Sequence, residues 1–469
     1  MNLTNVIKHE DILLLSHLFV YKTFKQLKKA TEGNMDFLKE IKNKILIYDG
    51  SKGFMLQTMG LKGGECPELW NVTHPEEVKE VYRQYKKAGA DIIQTNTFQG
   101  NRFKLKEYSL DDRTYELNYE GVRLAREVMG KDGFVSVSIG PIGKLLEPFG
   151  ELTFKQAYDL YAEQVKAADE AGADIINFET FTDLAEMRAA FLAARENCRL
   201  PIICSMSFEK NGRTLMGSDP YIAALVLKSL GADVIGTNCS MGPSSMVDIV
   251  KNMAAVGNVY ISIKPNAGIP EVIDGKTVYS ETPESFSQIA PEFIKAGARL
   301  IGGCCGTTPS FISAVKEAVA NSEPVKVIVN CDRIISSDVK MLNLDKDKDY
   351  TIGRIDATQD QELAKELSQG NIDYITDLLM DINDDDCDAV LINAGLSEKD
   401  VLVECIKNIQ TYSKIPVIIE ASEPEALYNA LRIYRGKAGV VIKNEGTMEQ
   451  LLAAAKKYGS TIIEKTDIK

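Results

Sequence analysis

Ala88-Gly89-Ala90-Asp91-Ile92-Ile93-Gln94-Thr95 reads as the end of one element and the beginning of another. Glycine after the last helical turn is a stop signal, and the short apolar run behind the aspartate has the look of a buried strand. The phrase returns as Ala171-Gly172-Ala173-Asp174, as Gly231-Ala232-Asp233 and as Ala296-Gly297-Ala298-Arg299. Outward from these junctions, β-type runs alternate with longer amphipathic stretches. The runs are Ile45–Tyr48, Asp91–Thr95, Phe134–Ile139, Asp174–Phe178, Pro201–Ser207, Asp233–Thr237, Val259–Lys264 and Arg299–Gly303. Eight units between residues 45 and 322 match a TIM (β/α)8 barrel in number and span. A doubly wound open sheet would not need eight similar units. The expected class is α/β, a barrel followed by a smaller partial βα domain.

The 469 residues are 45% hydrophobic and 26% charged, enough for a large core and two domains. A net charge of −13 argues against a nucleic-acid or anionic-membrane surface. Nine cysteines spread along the chain, without a secretory pattern, read as reduced thiols and a cytoplasmic location. Histidine is scarce: His9, His17 and His74 are the three, and none has metal-ligand spacing. Any zinc site must lean on cysteine or carboxylate. The apolar run 12–21 is about half a bilayer span, and no cleavage site follows it. Residues 1–44 read as an N-terminal appendage, the first 34 with amphipathic-helix character. Met35-Asp36-Phe37-Leu38 offers an alternative natural start.

Barrel chemistry gathers at the C-terminal strand ends. Here these are Asp49-Gly50, Thr95-Asn96-Thr97-Phe98, Gly140-Pro141, Glu179-Thr180, Ser205 to Phe208, Cys239, Lys264-Pro265-Asn266 and Cys304-Cys305. Strands six and eight flank strand seven, so Cys239 and the 304–305 pair are neighbours in space. Adjacent cysteines make a poor disulfide. In Ile301-Gly302-Gly303-Cys304-Cys305-Gly306-Thr307-Thr308-Pro309, Gly303 and Gly306 permit a turn that brings both thiols toward one point. Three thiolates from two strand ends make a zinc site with one open position. Cys66, Cys198, Cys204, Cys331, Cys387 and Cys405 read as core thiols. Glu179 is either a rim charge or a carboxylate for a substrate ammonium, and Asp49-Gly50 carries the same two readings. Asn96 and Asn266 are less specific hydrogen-bonding candidates.

Gly302 to Pro309, with Thr237-Asn238-Cys239, Lys264-Pro265-Asn266-Ala267-Gly268 and Thr95-Asn96-Thr97-Phe98, resembles the homocysteine S-methyltransferase family. Within it, the likeness is to the homocysteine module of cobalamin-dependent methionine synthases. The resemblance covers about residues 45–320. It implies zinc on Cys239, Cys304 and Cys305, homocysteine sulfur at the open position, and Asp49 and Glu179 at the amino-acid end of the substrate. One departure is Ser51-Lys52-Gly53-Phe54, where the family carries Met and Thr around its second glycine. The chemistry agrees with the implication: a free thiol, pKa ~8.5, is deprotonated outright on zinc. The product would be methionine. The resemblance implies a methylated corrinoid protein (methylcobalamin on a partner) as donor in trans; no Asp-x-His-x-x-Gly pattern marks a corrinoid site in the chain itself. S-methylmethionine or betaine as donor, another thiol as acceptor, or a non-catalytic zinc-binding partner of a corrinoid protein are the alternatives.

Residues 323–349 read as a charged linker, and 350–469 as a truncated βα series with strands at 350–356, 389–392, 416–419, 439–442 and 461–463. Ile352-Gly353-Arg354-Ile355-Asp356, Asp388 to Asn393 and Ile419-Glu420-Ala421-Ser422 resemble the start of the pterin-binding domain that follows the homocysteine module. Asp356, Leu391, Glu420-Ala421 and Val441-Ile442 depart from that pattern, which points to structural packing and no folate binding. Cut sheet edges need cover, so docking or a homodimer is expected.

Overall fold

The computed structural model describes residues 37–273, 276–329, 331–345, 347–443 and 445–464. The amphipathic helix expected within residues 1–34, and Met35, lie outside them. Eight parallel strands form one sheet: β1 (Leu46–Ile47), β2 (Ile92–Gln94), β3 (Phe134–Ile139), β4 (Ile175–Phe181), β5 (Ile202–Met206), β6 (Val234–Asn238), β7 (Tyr260–Lys264) and β8 (Ala298–Ile301). Their order is β1-β8-β7-β6-β5-β4-β3-β2. A parallel bridge between Tyr48 and Ile92 joins the two ends and closes the barrel.

The repeated junction has a physical basis at each of its positions. Gly89, Gly172, Gly231 and Gly297 stand at φ 96°, 85°, 92° and 112°, left-handed backbone that glycine adopts without penalty and that ends the preceding helix. The aspartates that follow accept amide N–H groups at the head of a neighbouring strand. Asp91 takes Ile47 at 2.9 Å, Asp174 takes Val135 at 2.8 Å and Asp233 takes Ile202 at 2.9 Å. Each junction thus stops a helix and satisfies a strand start that would otherwise be unpaired. In the fourth copy Arg299 replaces the aspartate. Its guanidinium donates instead to Ile41 and Lys42 carbonyls at 3.2 and 3.3 Å.

Those carbonyls belong to helical residues 37–43. Phe37 and Ile41 are fully buried against Leu46, Ile92, Ile175, Ile203, Val234 and Leu300, so the helix plugs the lower end of the barrel. The end of the stretch read as an appendage is therefore part of the barrel core. Its apolar spacing, Phe37 to Ile41, is one helical turn.

A second sheet of five parallel strands follows: β9 (Ile352–Asp356), β10 (Ala389–Asn393), β11 (Val417–Ala421), β12 (Gly439–Ile442) and β13 (Thr461–Ile462), paired in that order. Successive side chains face opposite sides. Val390, Ile392, Val417, Ile419 and Val440 pack into the main core. Ala389, Leu391, Ile418 and Val441 pack on Ile335 and Leu344. Ile335 lies in a short antiparallel hairpin, Ile334–Ser336 with Met341–Asn343, and Leu344 follows it. The segment expected as a charged linker therefore covers the face that would line the inside of a closed barrel.

The helix Leu184–Asn197 after β4 joins the two sheets. It is buried from Leu184 through Ala194, as expected of a helix covered on all sides. Arg188, 1% exposed, donates to the carbonyls of Leu431, Arg432 and Gly436 at 2.6, 3.0 and 3.4 Å. Glu196 accepts from Arg432 and Lys457 at 2.9 and 2.8 Å. On the same helix Glu186 accepts from Ile142 N–H and Tyr161 O–H, both at 2.7 Å, and burial pushes its carboxyl up to about 7. A carboxyl raised on folding contributes stability that is fully present below its unfolded pKa near 4.5 and is lost as pH rises through 7. Glu186→Gln keeps the acceptor oxygen and removes the charge. It is expected to leave stability unchanged at pH 4.5 and to raise it at pH 8 by on the order of 2–3 kcal/mol. Denaturant unfolding at the two pH values checks this; equal shifts at both refute it.

Candidate metal and substrate site

Cys239 follows β6 and the Cys304-Cys305 pair follows β8, with β7 between them. Cys239 and Ser240 both adopt left-handed backbone, φ 65° and 61°, uncommon for residues with side chains and a mark of functional turns. The turn brings Cys239 Sγ to 3.9 Å from Cys305 Sγ. Gly306, φ 78°, makes the corresponding turn after the pair. Gly303 acts differently: a Cβ there would strike the Thr307 side chain, whose Oγ1 donates to the Cys304 carbonyl at 2.7 Å. Cys304 N–H donates to Pro265 and Ala267 N–H donates to Cys305, at 2.7 and 2.9 Å. All three Sγ atoms lie within 4.8 Å of one another.

Side chains behind the thiols orient them. Asn266 Oδ1 accepts from Cys305 N–H at 3.1 Å. Asn238 Nδ2 reaches Cys304 Sγ at 3.7 Å and Thr180 Oγ1 at 2.8 Å, while its Oδ1 accepts from Thr180 N–H at 2.8 Å. Donation from Cys304 and Cys305 holds Cys239 down to about 3, and the same contacts push Cys304 up to about 12 and raise Cys305 as well. A dication would let all three ionise. Three soft sulfur donors without histidine suit zinc, so the residues fit that metal.

Beside the thiols lie two carboxylates, each ion-paired to a lysine. Asp49 pairs with Lys52 and accepts Gln94 N–H at 2.8 Å; burial raises its pKa, and the lysine opposes that rise. Glu179 pairs with Lys264 and accepts from Ser138 Oγ and from Gln94 Nε2, the latter at 2.6 Å. Lys264 also donates to Gln94 Oε1 at 3.0 Å. The close approach at Gly50 is made to protein: a Cβ there would sit 2.7 Å from Thr307 Oγ1. Asn96 spends its side-chain amide on Pro67 O and Asn71 Oδ1, at 2.7 and 3.1 Å. Of the five residues expected around the substrate, Asp49, Gly50 and Glu179 belong to these networks, Asn266 stands behind the thiols, and Asn96 holds a loop.

The model of the homocysteine S-methyltransferase family matches residues 46–319. The chain belongs to that family. Among curated relatives, methionine synthase of Mycobacterium tuberculosis (strain ATCC 25618 / H37Rv) is 27% identical over 463 residues, 92% of this chain and 39% of the relative. Methionine synthase of Mycobacterium leprae (strain TN) is 32% identical over 305 residues, 61% of this chain and 25% of the relative. The chain thus spans two fifths or less of the relatives it matches. Homocysteine methyltransferase MmuM from Escherichia coli, in its metallated form, shares the fold at TM-score 0.50 and 24% identity, over 59% of this chain and 96% of its own.

Several parts of this family member's site carry no signal in the sequence. The Lys264–Glu179 pair joins residues 85 positions apart, partners that only the closed barrel selects, whereas Lys52 stands three residues from Asp49. A hairpin, Pro270–Ile273 with Lys276–Tyr279, was not expected between β7 and β8. It presents Tyr279 over Gly306 and edge-on to Phe54, with centroids 6.2 Å apart. Burial, with the three thiols nearby, pushes the Tyr279 hydroxyl up to about 12. Among the described residues no helix is long and apolar enough to cross a membrane.

Proposed function

We propose that the chain is a zinc-dependent methyltransferase whose methyl acceptor is the thiol of L-homocysteine, giving methionine. The observation that carries the reading is the cluster of Cys239, Cys304 and Cys305 at the mouth of a barrel of this family, with Sγ atoms within 4.8 Å. Zinc held there would supply deprotonation of the acceptor thiol near neutral pH. Asn266 and Asn238 hold the thiol loops in register. Glu179 is the contact for the substrate ammonium, and Asp49 and Gly50 build the wall beside it. Tyr279 and Phe54 shield the sulfur side from water.

The donor in this reading is a methylated corrinoid protein supplied in trans. A cleft of ≈ 650 Å³ opens beside the Cys239 loop, lined by Lys210, Arg213, Met241, Gly242 and Ile269 among others, and Leu215 and Ile269 stand exposed on the rim loops. Apolar exposure around an open cleft suits a bulky donor. Methyl transfer from methylcobalamin, measured with and without chelator and across several thiols, tests the proposal. Chelator-sensitive methionine formation is the expected result. Turnover only with S-methylmethionine or betaine would reassign the donor, and zinc binding without turnover would make the chain a binding partner.

The second sheet is expected not to bind methyltetrahydrofolate. Leu391 and Val441 pack on the hairpin, where polar partners for a pterin edge would be needed, and Asp356 is turned onto Thr358 N–H and Oγ1 at 2.9 and 2.6 Å. Each stranded polar group costs ~1–3 kcal/mol. Calorimetric titration checks this, and saturable binding at micromolar ligand would refute it.

A further inference from the structure

In each lysine–carboxylate pair a different member faces outward. Lys52 has a side chain 11% exposed in front of an Asp49 at 0%. Glu179 is 9% exposed in front of a Lys264 at 1%. A molecule at the mouth therefore meets one cation, Lys52, and one anion, Glu179, each backed by its own sealed counter-ion. The four charges sum to zero. Such a mouth matches a ligand that also carries one charge of each sign and no net charge.

Lys52 is also fixed with respect to the thiols. Ser51 N–H donates to Thr307 O at 3.0 Å, and Gly303 N–H donates to Asp49 O at 3.1 Å. Tyr85 O–H binds the carbonyls of Thr307 and Ser51 at 2.8 and 3.0 Å. These bonds fasten the segment from Asp49 to Lys52 onto the Cys304-Cys305 loop. Lys52 Nζ uses two of its three N–H donors, on Asp49 and on the Gly50 carbonyl at 3.2 Å, which leaves one for a ligand.

We infer that Lys52 is a specificity-determining contact for the carboxylate of a zwitterionic amino-acid thiol, with Asp49 and Lys264 as positioning residues behind Lys52 and Glu179. This rests on the proposed reading of the mouth as a thiol acceptor site. Burial lowers the Lys52 pKa and Asp49 opposes that fall, while Lys264 is the buried ion-pair partner of Glu179. An aminothiol without a carboxylate brings a cation toward Lys52 with nothing to offset it.

Calorimetric titration of the zinc-loaded chain with homocysteine, 3-aminopropane-1-thiol and 4-sulfanylbutanoate tests the assignment, with metal content measured for every variant. Wild-type protein should bind homocysteine about 10- to 100-fold more tightly than the aminothiol, the range of one charge-assisted contact. Lys52→Met should bring homocysteine down toward the level of the aminothiol, weaken 4-sulfanylbutanoate similarly and leave the aminothiol bound at least as tightly as before. Lys52→Arg should keep the preference. Because Lys52→Met strands the Asp49 charge, the double variant Asp49→Asn, Lys52→Met removes both charges and should give the same selective loss. Equal losses for all three thiols, or a preference that survives in the folded double variant, would overturn the assignment. Wild-type protein that holds zinc and binds none of the thiols would instead remove the acceptor-site reading, and the assignment with it.

Discussion

Alanine at Cys239, Cys304 and Cys305 together is expected to abolish zinc binding and methyl transfer, and wild-type protein is expected to hold about one zinc per chain. Among the described residues these three form the one group of histidine, cysteine or carboxylate side chains close enough to share an ion. Among the described residues no histidine joins this group to substitute for a lost thiol. Thiolate sites of this kind bind zinc with about 10–16 kcal/mol, divided among few ligands, so even one Cys→Ala change should weaken binding by orders of magnitude. The thiols do not hold up the barrel: they lie at strand ends, partly exposed, and the core is apolar without them. Metal analysis after dialysis against a chelator reads the outcome, and circular dichroism confirms the fold. A folded triple variant that retains stoichiometric zinc would refute the site.

Arg188→Met should have the largest effect on stability. The guanidinium is buried in the helix Leu184–Asn197 and serves three carbonyls of the second sheet's helix and following loop. Burial above all lowers its pKa, to about 10, so these carbonyls keep a charge in place inside the protein. Methionine fills similar length and bonds to none of them. Three stranded acceptors, less whatever water recovers, cost about 3–5 kcal/mol. The loss should appear as a lower melting temperature and faster proteolysis between residues 323 and 349 as the second sheet loosens from the barrel. Arg432→Gln, which breaks an ion pair nearer the surface, should cost about 1 kcal/mol or less. Equal effects of the two substitutions would show that Arg188 is not the clasp.

The barrel was legible because its junctions repeat, and the repeat has a local cause. Gly89, Gly172, Gly231 and Gly297 end helices whatever surrounds them, so a reader of sequence meets the same signal four times. The thiol triad was legible for a similar reason: strand order alone brings Cys239 next to Cys304. The pairing of Lys264 could not be read in this way. Nothing near Lys264 in the chain indicates Glu179, 85 positions away. An amide at a strand end has the same letter whatever it meets, so the sequence could not show that Asn96 Nδ2 donates to Pro67 and Asn71. The charged stretch before residue 350 suggested a linker, yet Ile335 and Leu344 within 323–349 are apolar anchors too sparse to register as a strand pair.

Phe37 and Ile41 stopper the lower end of the packed barrel, so among the described residues the rim that carries the three thiols serves as its doorway. In the proposed reaction both reactants must use that doorway, and the smaller has to pass beneath the larger. The thiol therefore arrives first, the methyl carrier docks above it, and the methylated product waits until the carrier backs away. Turnover acquires an obligate queue, and a carrier that grips the rim too well slows the cycle by blocking the exit.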